Sequence, residues 1–256
     1  VTAFSASIVL YENDPAVVAR AMQSTLATAN LEVLHLIDNS RDRSLDCLQH
    51  DPRVRYEHVG RNIGFGAGHN RAIAATQCAC HVIVNPDVEF APGVIPGLMT
   101  TLAAHPGAAL AGPALSSDSS RIEHWCRARP TPFDLLARRF LPAGTRWIRE
   151  RQFRFERRDL ARDRPSDVDV LSGAFLVCDT TALRRLGGFD PRYFLYLEDY
   201  DLCRSARAAG LRCIYDPRQL VIHRRGGHSY TSIRPLLWHT RSAVQYFNKW
   251  GWLPLY

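Results

Sequence analysis

Apolar and small polar residues alternate over residues 4–10 (FSASIVL), the period-two pattern of a strand. Asp14-Pro15 then supplies an N-cap followed by proline at the first helical position, and Val18, Met22 and Leu26 recur every four residues, which predicts a helix. Apolar runs at 33–37 (VLHLI), 54–59 and 81–84 (HVIV) predict three further strands, with a short helix over 67–76 before the last. The order β-α-β-β-α-β, with buried-looking runs, predicts a largely parallel sheet covered on both faces by helices. Val94, Ile95, Leu98 and Leu102 predict a helix over 93–105, and a strand follows at 108–111.

Past residue 116 the pattern loosens. Residues 127–167 mix prolines, arginines and isolated aromatics such as Trp147, Phe153 and Phe155, and read as an inserted loop or helical excursion. Order returns at Val170: a strand over 174–178, a helix over 180–186 stopped by Gly187-Gly188, and a helix over 201–209 closed by Gly210. Two strands, 212–215 and 219–223, are expected on either side of a turn at Asp216-Pro217. The tail over 235–252 carries Trp238, Tyr246, Phe247, Trp250 and Trp252.

Composition narrows the class. With 46% hydrophobic and 22% charged residues over 256 positions, the chain is a folded protein and not a disordered, collagen-like or fibrous one. The stretch 91–117 lacks formal charge, but prolines at 92, 96, 106 and 113 exclude a membrane span. Seven cysteines, an odd number set mostly in apolar runs, point to buried free thiols in a reducing compartment; Cys78 and Cys80 have no second pair at zinc-ligand spacing. No basic-then-apolar leader follows Val1, so a cytoplasmic location is expected. The +7 charge is almost all arginine, Lys249 being the sole lysine, and ten arginines fall between positions 138 and 164. The arginine fork suits phosphate oxygens, so a phosphate-bearing partner is expected.

Ligands in open α/β sheets gather outside the carboxyl ends of strands, which singles out Asp38-Asn39-Ser40, Asn85-Pro86-Asp87, Glu198-Asp199 and His223. Asp87 either caps a turn or holds a divalent cation against a diphosphate, and His223 either donates within the structure or completes that metal shell. Glu198, Asp199 and Asp201 either complement a helix dipole or, with Tyr193, Phe194 and Tyr196, form a sugar-sized cluster of aromatics and carboxylates that includes a general base. The run Gly64-Phe65-Gly66-Ala67-Gly68 resembles a dinucleotide fingerprint, but the third glycine of that motif falls on His69, which weakens a nicotinamide-dependent oxidoreductase reading. These glycines either offer backbone N–H groups to phosphate or let another strand pass close. No nucleic-acid module is visible, and the carboxylate cluster would oppose a phosphate backbone, so no nucleic-acid partner is expected.

Taken together, SIVLYEN at 7–13, IDNS at 37–40, RNIGFGAGHNRAI at 61–73, VNPDV at 84–88, LSGAFLV at 171–177 and GGFDPRYFLYLEDYDLC at 187–203 resemble family 2 glycosyltransferases with the GT-A fold. NPDV at 85–88, the FLYLEDYDLC block at 194–203 and WHTRSAVQYF at 238–247 are similar to bacterial rhamnosyltransferases of O-antigen or cell-wall polysaccharide assembly, which use dTDP-L-rhamnose. The resemblance implies a single GT-A domain over 1–256: a Rossmann-like, mostly parallel sheet flanked by helices, with a nucleotide-binding half (1–115), an Arg-rich insertion (116–169) and an acceptor and catalytic half ending in a helical tail (170–256). It implies Asp38 at the nucleobase imide with Tyr11 beside the base, and a nucleotide site completed by Asn39, Asn62, Gly64, Asn85 and Asp87. Asp87 and His223, with His228 as the fallback, would bind Mg2+ or Mn2+; Asp199 would be the catalytic base with Glu198 beside it. Asn85 replaces the first acid of the DxD-like element, consistent with a deoxyribose donor such as dTDP-rhamnose, while a UDP-sugar and galactofuranosyl or other hexosyl transfer are the alternative. The acceptor would be a glycan or a polyprenyl-diphosphate-linked glycan; the basic and aromatic segments either lie on an anionic membrane surface at the inner face of the plasma membrane or form a solvated face with ordinary core packing. An inactive nucleotide-sugar-binding relative would keep nucleotide affinity and show no transfer.

Overall fold

The computed structural model describes residues 2–43, 50–117, 122–123, 125–140, 145–224 and 233–252; Cys47 and His228 lie outside them. The strands are β1 (Phe4–Leu10), β2 (Leu31–Asp38), β3 (Val54–His58), β4 (Cys80–Val84), β5 (Val88–Phe90), β6 (Ala108–Ser116), β7 (Ile122–Glu123), β8 (Ser166–Asp167), β9 (Phe175–Asp179) and β10 (Arg212–His223). The helices are α1 (Pro15–Leu26), α2 (Phe65–Ala75), α3 (Val94–Ala104), α4 (Pro132–Phe140), α5 (Arg146–Phe155), α6 (Thr180–Leu186), α7 (Glu198–Ala208) and α8 (Ile233–Trp250). No helix among the described residues is long and apolar enough to cross a membrane.

All strands join one sheet in the order β3-β2-β1-β4-β9-β6-β10-β5, with β7 on β6 and β8 on β10. The parallel arrangement holds through β3-β2-β1-β4 and again for β6 and β10. Between these blocks β9 runs antiparallel to both β4 and β6, so the sheet is mixed. Apolar side chains of the strands feed a separate core cluster on each face. In β1 every residue is buried, which explains its uninterrupted run of small and apolar side chains.

Local signals act where expected. Asp14 accepts from Ala16 N and caps α1, with Pro15 in the first turn, and Gly187 adopts the left-handed conformation that ends α6. The expected break at Asp216-Pro217 is instead a register shift inside one strand, β10. Proline cannot donate to the ladder, and the buried Asp216 carboxylate takes over the local bonding, accepting from Arg218 N at 3.1 Å and from the Thr101 hydroxyl at 2.5 Å. The 116–169 segment contains a helical hairpin, α4 and α5, pinned where Arg151 meets Asp134 at 2.6 Å and lies over the Phe133 ring at 5.0 Å.

Beneath β1 a polar chain runs through the core. Thr76 Oγ1 accepts from Cys78 N and donates to Ser5 Oγ; Ser5 lies 2.7 Å from His81 Nδ1, His81 Nε2 lies 2.8 Å from Ser7 Oγ, and Ser7 lies 2.7 Å from His69 Nδ1. A neutral imidazole donates through one ring nitrogen and accepts through the other, so His81 relays the chain between the Ser5 and Ser7 hydroxyls, with its tautomer setting the direction. Burial keeps both imidazoles neutral: it pushes His81 down to about 3 and His69 well below the ordinary histidine value.

Candidate active site

The carboxyl ends of β1, β2 and β4 open on one side of the sheet. Tyr11, just past β1, is 44% exposed, and its N–H donates to Asn13. Asp38 ends β2 but is fully buried, and its carboxylate accepts from Ser40 N at 2.8 Å and from the Tyr56 hydroxyl at 2.5 Å. Asn39 Nδ2 donates to Gly64 O, and Gly64 N donates to Asn62 Oδ1. Asp38, Asn39, Asn62 and Gly64 therefore lie together, with Asp38 engaged inside the protein and the amides bracing the glycine turn.

Of the two uses open to that turn, close approach is the one the structure displays. A Cβ on Gly64 would stand 2.4 Å from Phe194 O, on Gly66 2.6 Å from Phe189 Cβ, and on Gly68 2.7 Å from a Val9 methyl. Phe65 N, at the mouth of α2, donates to Phe194 O. The helix entrance thus packs against the segment that carries the carboxylate cluster.

Antiparallel pairing of β10 with β5 sets His223 opposite Val88, next to Asp87. His223 Nε2 approaches Asp87 Oδ1 at 3.1 Å, and both side chains are largely buried. Asp87 Oδ1 and His223 Nδ1 have no hydrogen-bond partner among the described residues. Asp87 Oδ1, facing His223 Nε2 and accepting no hydrogen bond among the described residues, fits with that imidazole a divalent cation whose remaining positions substrate oxygens and water would fill. Asn85 is tied to β9 through its N–H, which donates to Ala174 O at 2.9 Å, while its buried Oδ1 has no partner among the described residues.

One residue beyond Ala174, toward the chain start, Gly173 N donates to Asp199 Oδ2 at 2.9 Å, and Tyr200 N donates to Asp199 Oδ1 at 2.9 Å. The β4–β9 register therefore brings the Asn85-Pro86-Asp87 turn close to the segment that holds Asp199. Asp199 and Glu198 open α7 directly after Tyr196 and Leu197, both left-handed at φ 71° and 64°. Two consecutive non-glycine residues in that region are costly and aim the first turn of α7 into the cavity. Burial pushes the Asp199 carboxyl up, against the pull of its two backbone donors and of the Arg127 charge; burial and the Asp199 charge push Glu198 up as well.

The cavity in front of this pair measures about 710 Å³ and is lined by Trp125, Arg127, Tyr196, Tyr200 and His239 as well as the two carboxylates. Asp87 and His223 are not among its lining residues; Trp125, which is, packs its ring edge-on against His223 at 5.2 Å. Sequence reasoning missed Trp125, Arg127 and His239. The first two lie in the loosely patterned insertion and the third on the tail helix, and only their tertiary placement distinguishes them. Asp201, grouped by sequence with Glu198 and Asp199, faces elsewhere: it is buried and accepts from Lys249 Nζ at 2.7 Å, Trp250 Nε1 at 2.6 Å and the Tyr193 hydroxyl at 3.2 Å. The acids separate because successive helix positions point about 100° apart, so the third lands on the face that meets α8.

Residues 3–239 match the family described as glycosyltransferase like family 2. The chain is 29% identical over 189 residues to the N-acetylglucosaminyl-diphospho-decaprenol L-rhamnosyltransferase of Mycobacterium tuberculosis, an alignment covering 70% of this chain and 61% of that protein. It is 36% identical over 84 residues to the rhamnosyltransferase WbbL of Escherichia coli K12, covering 32% of this chain and 31% of the relative. The chain thus spans about three fifths of the mycobacterial relative's length and a smaller part of the second. Among solved structures, GalNAc-T7 with UDP, GalNAc and Mn2+ superposes with a TM-score of 0.68 at 14% identity, over 87% of this chain and 43% of that one. The likeness extends to the fold: a central mixed sheet with flanking helices, the GT-A arrangement.

Proposed function

Because the chain belongs to glycosyltransferase like family 2, we propose that it is an inverting transferase that moves L-rhamnose from dTDP-L-rhamnose to a hydroxyl of a polyprenyl-diphosphate-linked glycan. The observation that carries this reading is Asp199: a carboxylate held by two backbone N–H groups on the wall of a sugar-sized cavity. There it takes the proton from the acceptor hydroxyl as that oxygen attacks the anomeric carbon, a contribution of roughly 10²- to 10⁴-fold. Asp87 and His223 would hold Mg2+ or Mn2+, which when bound supplies positive charge to the departing nucleotide diphosphate. Tyr11 lies beside the base, and Asn85 faces the ribose in place of an acid. Rhamnose as the donor sugar is supported by the names of the mycobacterial and Escherichia coli relatives, and the lipid-linked acceptor by the mycobacterial one. Asp38 supports the base indirectly in this reading, by bracing Tyr56 and the residue 40 turn.

Transfer from dTDP-rhamnose to a short-chain N-acetylglucosaminyl-diphospho-lipid tests the proposal. Asp199→Asn is expected to lower turnover at least 100-fold with Mn2+-dependent dTDP binding intact, and Asp87→Ala to weaken that binding. Turnover by Asp199→Asn equal to the parent's removes the base assignment, and stabilisation of the protein by UDP-sugars alone replaces the donor.

The α4–α5 hairpin exposes Leu136, Trp147 and Phe153 alongside Arg146, Arg149 and Arg154, and its Leu135 lines the cavity. This face is assigned to the surface of an anionic bilayer, where aromatic and basic side chains hold a protein at the interface. Vesicles containing phosphatidylglycerol should pellet the protein at low salt, and Trp147→Ala with Phe153→Ala should weaken pelleting. No pelleting of the parent by such vesicles would refute the assignment.

A further inference from the structure

Two adjacent buried carboxylates cannot both carry full charge cheaply, so their surroundings decide which one does. Asp199 accepts two backbone hydrogen bonds. Glu198 Oε2 is buried and accepts none among the described residues. Arg127 lines the same cavity while only 5% exposed. Its backbone exchanges two 3.1 Å hydrogen bonds with Val170, three residues before the Gly173 N–H that holds Asp199. The segment that orients Asp199 is therefore the one that fixes Arg127.

We propose that Arg127 is a positioning residue that concentrates the negative charge of the Glu198–Asp199 pair on Asp199 and leaves the proton on Glu198. This rests on reading Asp199 as the base. The other titratable groups facing the pair are the Tyr196 and Tyr200 phenols, the His239 imidazole contributed by α8, and the Cys203 thiol one turn along α7, which its interaction with Cys213 and its burial keep protonated. Among the described lining residues Arg127 carries the one permanent positive charge. Burial pushes both carboxyls up; at Asp199 the backbone donors and the Arg127 field oppose it, whereas at Glu198 the charge on Asp199 adds to it. The consequence is a division of labour between neighbours of nearly identical chemistry. Asp199 is ready to accept a proton, and Glu198 stands beside it as a neutral acid able to donate a hydrogen bond to a sugar hydroxyl.

The test is the pH dependence of kcat for transfer from saturating dTDP-rhamnose to the diphospho-lipid acceptor, using the full chain. Removing an opposite charge from the same cavity wall should raise the acid limb of Arg127→Gln by about one pH unit, with the rate recovering toward high pH, and Arg127→Lys should return the limb toward the parent's. A loss that is uniform across pH, an unmoved limb, or a change confined to the KM of the acceptor overturns the proposal. Glu198→Gln, which mimics the protonated side chain, gives an independent reading should Arg127→Gln fold poorly. Its acid limb should stay where the parent's lies, and a limb displaced downward would show that Glu198 carries charge in the parent and overturn the proposal. Asp199→Asn separates the two levels: full transfer by that variant removes the base itself, whereas an inactive Asp199→Asn with an unmoved Arg127→Gln limb removes only the role given to Arg127.

Discussion

Replacing Gly64 by alanine should damage the fold and the carboxylate segment together, because this residue sits where the two meet. Its backbone, at φ 93° and ψ 170°, occupies a region nearly exclusive to glycine. Forcing alanine into it costs about 1–3 kcal/mol. The added Cβ would stand 2.4 Å from Phe194 O and 3.1 Å from Phe194 C and Cα, all backbone atoms that cannot rotate away. Relief requires the turn or the 194 segment to shift, at the expense of the Phe65 N to Phe194 O and Asn39 Nδ2 to Gly64 O hydrogen bonds, each 3.1 Å long. At about 1 kcal/mol net for each, the total reaches roughly 3–5 kcal/mol. For a chain of this size that lowers Tm by roughly 6–20 °C, at about 2–4 °C per kcal/mol. Gly93→Ala is the control: nothing stands within 4 Å of its Cβ and its φ is −76°, so a change under about 1 kcal/mol is expected. Thermal unfolding followed by circular dichroism, paired with dTDP binding, reads both. A Gly64→Ala protein that melts within about 2 °C of the parent but loses dTDP affinity would refute the packing argument and restore the turn as a phosphate cradle.

Lys249→Met should loosen α8, since Lys249 bonds the buried Asp201 at 2.7 Å and Asp190 at 3.1 Å; with Lys249 about a quarter exposed, the loss is discounted to about 2 kcal/mol. Urea unfolding of parent and variant measures it, and coincident midpoints would contradict a strap role for the pair. The buried His81 predicts acid sensitivity with a definite sign. Its folded value is pushed down to about 3 from an ordinary 6.5, so the unfolded chain binds the extra proton. The stability from keeping His81 neutral is complete above pH 6.5 and falls as pH drops toward 3, by about 2 kcal/mol at pH 5. Glu198 and Asp199, shifted upward, act in the opposite direction, so the comparison of parent with His81→Gln at pH 7 and pH 5 isolates the histidine. The variant should lose less stability than the parent over that interval, and equal losses would exclude a buried neutral His81.

Much of the framework was legible because its causes are local. Alternation, apolar runs and caps such as Asp14-Pro15 give β1, α1, β2 and β4 nearly to the residue, and the end of α6 follows from Gly187. The buried state of the cysteines follows from their apolar neighbours, and six of the seven are free and buried. Placing Asp87, Asp199 and His223 at strand or helix ends also needed only the chain order. The antiparallel entry of β9 could not be read, because a short apolar strand carries the same pattern in either direction. Nor could the union of 212–215 and 219–223 into β10, since a turn and a bulge share their residue signals.

By itself the sequence determined most of the segments up to β4 and around α6, and which chemistry-bearing residues stand near their ends, because burial periodicity and capping act over a few residues. Tertiary structure decided the rest: that His223 meets Asp87 through the pairing of β10 with β5, that Trp125, Arg127 and His239 join the wall facing Asp199, and that Asp201 leaves its acidic neighbours to hold α8. These contacts connect side chains far apart along the chain. Their free energies arise only once strand register and helix packing have brought the groups into one dry volume, and no local pattern encodes them.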